Sequence, residues 1–142
     1  MRDTFQVHVR VAAPASEVWA RLIDLDNHSA AIPFTRVTPA GESMQEGLRF
    51  VGETSLGPLH FSDRMVVRRA DPPTPDHPGR LVVEKFGPVA GRVEASVEQV
   101  PTGTLVTWQQ SLRPAWLPRV LRPWGAVVAR LAYGAGLRRI VS

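Results

Sequence analysis

The side chains able to do chemistry in this sequence are few and scattered. Four histidines, His8, His28, His60 and His77, stand far apart. None has the close helical spacing beside a carboxylate that builds a zinc site, so no metal is expected. His8 and His60 fall on the polar parity of strand-like segments and read as solvent-facing. His28 stands at the close of a helical segment, where a ring of its ordinary pKa could work as an acid or base. Cysteine is absent, which excludes disulfides, thiolate metal sites and a cysteine nucleophile. There is no Gly-x-Ser-x-Gly turn for a serine nucleophile. Gly134-Ala135-Gly136 lacks the third glycine and the preceding strand of a phosphate loop, and no cofactor is expected.

Asp63 is the carboxylate that breaks its local pattern. It shares strand parity with Phe61, Met65 and Val67, which places a charge on a dry face. A buried carboxylate needs a partner or a raised pKa. Two readings stand side by side. In one, Asp63 and Gln110 project inward as the few polar groups that orient an apolar ligand. In the other, a bulge reverses the parity, or Asp63 pairs with an arginine at the sheet edge. Phe50, Trp108, Trp116 and Trp124 read equally as core or as cavity wall.

The elements that must position these residues follow from periodicity. Phe5, Val7, Val9 and Val11 alternate with Gln6, His8 and Arg10, the pattern of a half-buried strand. Pro14 suits the first position of a helix, and Val18, Trp19, Leu22 and Ile23 then recur at helical spacing. Asp24-Leu25-Asp26-Asn27 is expected to close that helix as a turn, with a short second helix over 28–32. Six strands are expected next. The first covers 34–39, and the next has Leu48, Phe50, Gly52 and Thr54 on one face and turns near Leu56-Gly57-Pro58. A longer one has Leu59, Phe61, Asp63, Met65 and Val67 on one face and stops at Asp71-Pro72-Pro73. Then come 81–86, 92–100, and a last strand with Val106, Trp108, Gln110 and Leu112 on one face. Pro101-Thr102-Gly103 marks the hairpin before that last strand. From Ala115 the apolar period turns helical, with Pro123 predicting a break between helices over 116–122 and 123–139. One antiparallel sheet with a dry face closed by a terminal helix is an α+β architecture. At 142 residues the chain reads as one domain over 1–142.

The order of elements and three segments resemble the START-like or Bet v 1-like (SRPBCC) superfamily, specifically its bacterial polyketide cyclase/dehydrase-like group. The segments are "AAPASEVWARLIDLDNH" at 12–28, "FSDRMVVRRADPP" at 61–73 and "GTLVTWQQSLRP" at 103–114. The resemblance implies a helix-grip fold, a seven-stranded antiparallel sheet curled around a long C-terminal helix with a cavity between them. On that fold Phe50, Phe61, Asp63, Met65, Val97, Trp108, Gln110, Trp124, Val128 and Leu131 become the candidate ligand-binding residues, and Asp63 and His28 the candidate catalytic ones. One departure is the segment His28-Ser29-Ala30-Ala31-Ile32-Pro33, where relatives carry aromatics; the cavity mouth there is expected to be lined by smaller side chains.

Three functions are compatible with these residues. The leading expectation is binding or carriage of a small hydrophobic molecule, lipid, polyketide or quinone-like, since enclosing apolar surface needs no motif. The alternatives are a cyclase, aromatase or dehydratase acting on such a chain, and a module docking on an anionic membrane. The net charge of +4 rests on sixteen arginines and one lysine, Lys85. After Glu98 no acidic residue follows, while Arg113, Arg119, Arg122, Arg130, Arg138 and Arg139 do, which gives a basic segment for the docking reading. Nucleic acid is not expected as a partner, because the aromatics follow the apolar stripe. The N-terminus lacks a basic-then-apolar signal and no apolar run approaches the ~20 residues of a membrane span, so a cytoplasmic protein is expected.

Overall fold

The computed structural model describes residues 3–31, 35–56, 58–86, 89–114 and 134–141. For Asp3, Leu56, Leu59, Phe61, Val89, Leu112, Arg113 and Pro114 it describes the backbone alone. The chain runs β1 (Asp3–Val11), α1 (Ala15–Ile23), α2 (Leu25–Ala31), β2 (Thr35–Thr38), β3 (Arg49–Leu56), β4 (Leu59–Asp71), β5 (Gly79–Phe86), β6 (Val89–Val100) and β7 (Gly103–Pro114). A terminal helix, α3, covers 134–141.

All seven strands form one antiparallel sheet in the order β1-β7-β6-β5-β4-β3-β2. Strands of 12 or 13 residues (β4, β6, β7) extend ~40 Å at about 3.3 Å per residue. Twist accumulated over that length curls the sheet into a trough. Its concave face carries the expected alternation: Phe5, Val7, Val9 and Val11 on β1, Leu81 and Val83 on β5, Val93, Ala95 and Val97 on β6, and Val106 and Trp108 on β7 are buried.

Several boundaries differ from the sequence reading, each for a local reason. Pro14 is the N-cap of α1 and not its first helical residue, with extended backbone at φ −62°, ψ 148°. It has no side chain to cap with, and the free N–H of Ala15 is met by Gln99 Oε1 from β6 at 2.9 Å. Asp24 to Asn27 is not a plain turn. Only Asp24 is non-helical, bridging to Ser43, and α2 begins at once at Leu25. Fully buried Leu25 is the reason, since helical geometry turns it into the core. The second helix is therefore 25–31 and not 28–32, with Ile32 outside the described residues. Strands β5 and β6 each begin earlier than expected, at Gly79 and Val89, because backbone pairing continues past the last clear alternation. The expected helix over 116–122 and most of that over 123–139 lie outside the described residues. What is described, 134–141, buries Leu137, Ile140 and Val141. Arg21 of α1 donates to the Val141 carbonyl at 3.0 Å and so ties α1 to α3.

The Val18-Trp19 pair of the family-like segment is explained by packing. Trp19 lies so close to β5 that a Cβ at Gly79 would stand 2.9 Å from its Cε3, so only glycine fits there. A bulge in β4 between Val67 and Arg69 swaps the parity, bringing Ala70 against the core and leaving Arg69 outside.

Candidate functional site

Between the concave face and α2 lies a cavity of about 100 Å³, lined by α2, the loop before β3 and six of the seven strands. Among the described residues its apolar wall is Val37, Met44, Phe50, Met65, Val83, Val93 and Trp108. The bridge between Asp24 and Ser43 places Met44 there, fixed by its N–H donating to the Ile23 carbonyl at 2.7 Å. Thr35 and Thr54 face each other across β2 and β3 with hydroxyls 3.1 Å apart.

Four polar side chains meet in this space: Asp63, Lys85 and Gln110, which strand alternation puts on the dry face, and His28 from α2. Asp63 keeps its inward parity and is buried at 7% exposure. The bulge that could have reversed it falls later, after Val67. Lys85 Nζ lies 4.0 Å from the Asp63 carboxylate. Lys85 sits on β5 opposite Met65, two residues along β4 from Asp63, so the two reach each other diagonally across the ladder. It is the chain's one lysine, and it is buried while arginines of the same sheet such as Arg68 and Arg92 are exposed. Two charges this deep are tolerable because they compensate each other.

Gln110 is fully buried on β7, and its Oε1 accepts from Trp108 Nε1 at 3.1 Å. The carboxamide nitrogen, Nε2, has no hydrogen-bond partner among the described residues. His28 projects from α2 to within 6.5 Å of the Trp108 ring, centroid to centroid. Its Nε2 lies 2.7 Å from the Leu22 carbonyl, and a carbonyl only accepts, so the proton sits on Nε2. Desolvation lowers the pKa of the ring below its ordinary value, against weaker opposite pulls from the Leu22 carbonyl and Asp24. A neutral imidazole pinned this way fixes α2 to the end of α1 and leaves Nδ1 as an acceptor.

Of the residues singled out from sequence, Phe50, Asp63, Met65, Trp108, Gln110 and His28 come together around the cavity. Val97 is fully buried in the core. Phe61 lies on β4, its side chain beyond what is described, and Trp124, Val128 and Leu131 lie outside the described residues. Sequence reasoning passed over Lys85 and Met44. For Lys85 the signal was present: Leu81, Val83 and Lys85 share one parity, and it is a lone lysine among arginines. Nothing in the sequence marks Met44, which reaches the wall by a loop bridge. Among the described residues no three His, Asp or Glu side chains cluster as metal ligands.

Of the basic C-terminal residues, Arg138 and Arg139 are exposed on α3, and Arg119, Arg122 and Arg130 lie outside the described residues. No helix among the described residues is long and apolar enough to cross a membrane.

Solved structures share this architecture at low sequence identity. The aromatase/cyclase ZhuI from Streptomyces sp. R1128 superposes with a TM-score of 0.67 at 18% identity, covering 99% of this chain and 92% of its own. The di-domain ARO/CYC StfQ of the steffimycin biosynthetic pathway gives 0.73 at 15% identity over 99% of this chain and 50% of its own. DynU16, encoded in the dynemicin biosynthetic locus, gives 0.68 at 18% identity over 98% of this chain and 46% of its own. The chain thus spans about half the length of the last two. Among curated proteins none matches by sequence. The family model described as polyketide cyclase/dehydrase and lipid transport matches residues 2–142, and the chain belongs to that family.

Proposed function

We propose that the protein binds a small, largely apolar molecule on the concave face of its sheet. One observation carries this reading: an apolar cavity that contains a compensated charge pair and an amide donor. Predominantly apolar walls with a few placed polar groups are the usual make-up of a ligand site. A volume of about 100 Å³ suits a single ring or the end of a longer chain. Family membership and the likeness to aromatase/cyclase structures support a ring-forming or ring-bearing ligand. Extraction and mass spectrometry of the natively purified protein should release a small apolar compound in near-stoichiometric amount. The variant Val83→Phe, which fills the cavity, should release none while remaining folded. Equal release from both proteins would place the compound elsewhere and defeat the reading.

A second reading is favoured by the convergence of Asp63, Lys85 and His28 around one space. Acid–base groups held against an enclosed chain could assist its cyclisation or dehydration. In that case Asp63→Asn would abolish turnover of a supplied polyketide-like chain while leaving its binding intact. Unchanged turnover would remove Asp63 from any such chemistry.

A further inference from the structure

Gln110 holds the one buried side-chain polar atom that lacks a hydrogen bond among the described residues, Nε2. The orientation of the amide is determined by chemistry. The Trp108 indole N–H can only donate, so it must face Oε1, and the NH2 group is turned the other way. Its strand neighbours across the sheet, Phe5 and Val93, have no acceptor side chain to offer. A buried donor left unpaired disfavours a structure by a factor of roughly ten to a hundred. Such groups in a native fold call for an explanation.

The same cavity contains Lys85 and Asp63, whose charges offset each other at 4.0 Å. Among the described residues, the requirement left unmet at the site is therefore one acceptor atom for Gln110 Nε2. We infer that the ligand is a neutral apolar molecule bearing a carbonyl oxygen, and that Gln110 Nε2 donates to that oxygen and sets the specificity. The inference rests on the ligand-cavity reading above and narrows its ligand class. A carboxylate head group would have to share the space with the buried Asp63 and is selected against.

Acetophenone and α-methylstyrene test this directly, since they share a shape and differ only in an oxygen replaced by a methylene. Dissociation constants for both are measured on the full chain and on Gln110→Met, which keeps the volume and loses the donor. Expressing selectivity as the ratio of the two constants cancels the ketone's better hydration and any change common to both ligands. We expect the preference for acetophenone to fall about tenfold or more in Gln110→Met. An unchanged ratio with both compounds bound would overturn the proposal and leave the cavity reading standing. Binding of neither compound to the wild type would overturn both. If Gln110→Met does not fold, the carbonyl stretch of acetophenone bound to the wild type decides. A shift to lower frequency than in hexane is expected, and an unshifted band overturns the proposal. Benzoate should bind at least tenfold more weakly than acetophenone, and equal affinity would refute the requirement for a neutral ligand.

Discussion

The two faces of one sheet handle charge in opposite ways. On the convex face Arg68 reaches Glu84 at 3.4 Å and Arg92 reaches Glu94 at 2.9 Å, with all four side chains a third or more exposed except Glu84, which is close to it at 32%. On the concave face Asp63 and Lys85 are within 4.0 Å of each other at 10% and 7% side-chain exposure. The convex pairs have water as an alternative partner, so their contribution is small. The concave pair is largely shielded from water, so removing one charge leaves the other buried with less compensation. A charge kept on a face that alternation makes dry is therefore a guide to a site, whereas the same charge outside is ordinary surface.

The largest way to break this contrast is Lys85→Met. It leaves the Asp63 carboxylate without its lysine and should lower stability by about 3–5 kcal/mol in urea unfolding. Adding Asp63→Leu to it should recover most of that loss, because an apolar pair of similar volume suits the wall. A double variant no more stable than the single one would show that the pair is not the source of the effect.

His28 offers a smaller and pH-dependent contrast. Its folded pKa lies below the ordinary 6.5, so the unfolded chain takes up this proton first. Stability from this residue is complete above about pH 6.5 and declines as the pH falls below it, until the buried ring itself protonates. The slope can reach at most about 1.4 kcal/mol per pH unit, the value for one proton. His28→Gln should flatten that portion of the curve. A curve of the same slope in the variant would locate the proton uptake elsewhere.

The smallest effect is expected outside. Arg68 pairs with Glu84 and lies 5.8 Å from the centre of the half-exposed Phe86 ring. Arg68→Ala should change stability by less than about 1 kcal/mol, and the change should shrink further in high salt. A loss as large as that of Lys85→Met would erase the distinction between the faces.

Strand identity was legible wherever one face is wet. The 92–100 segment shows this best, with Arg92, Glu94 and Glu98 outside and Val93, Ala95 and Val97 buried. Boundaries were less legible, because Gly79 and Val89 join their strands through backbone bonds that leave no side-chain signature. The start of α2 was hidden by Asp24 and Asn27, residues that serve in a turn and in a short helix alike. Asp63 and Gln110 could be assigned an inward face from parity. Which partner Asp63 would find could not be, since Lys85 reaches it only through the register of β4 on β5. Register is a property of two strands together and is not written in either one.

The central claim, a concave face that takes up an apolar molecule, is most directly tested by methyl NMR of the methionines. Met44 and Met65 stand on the cavity wall, one from a loop and one from β4. Titration with acetophenone should move both methyl resonances along saturable curves with a single dissociation constant. Two resonances that stay in place up to the solubility limit of the ketone would contradict it.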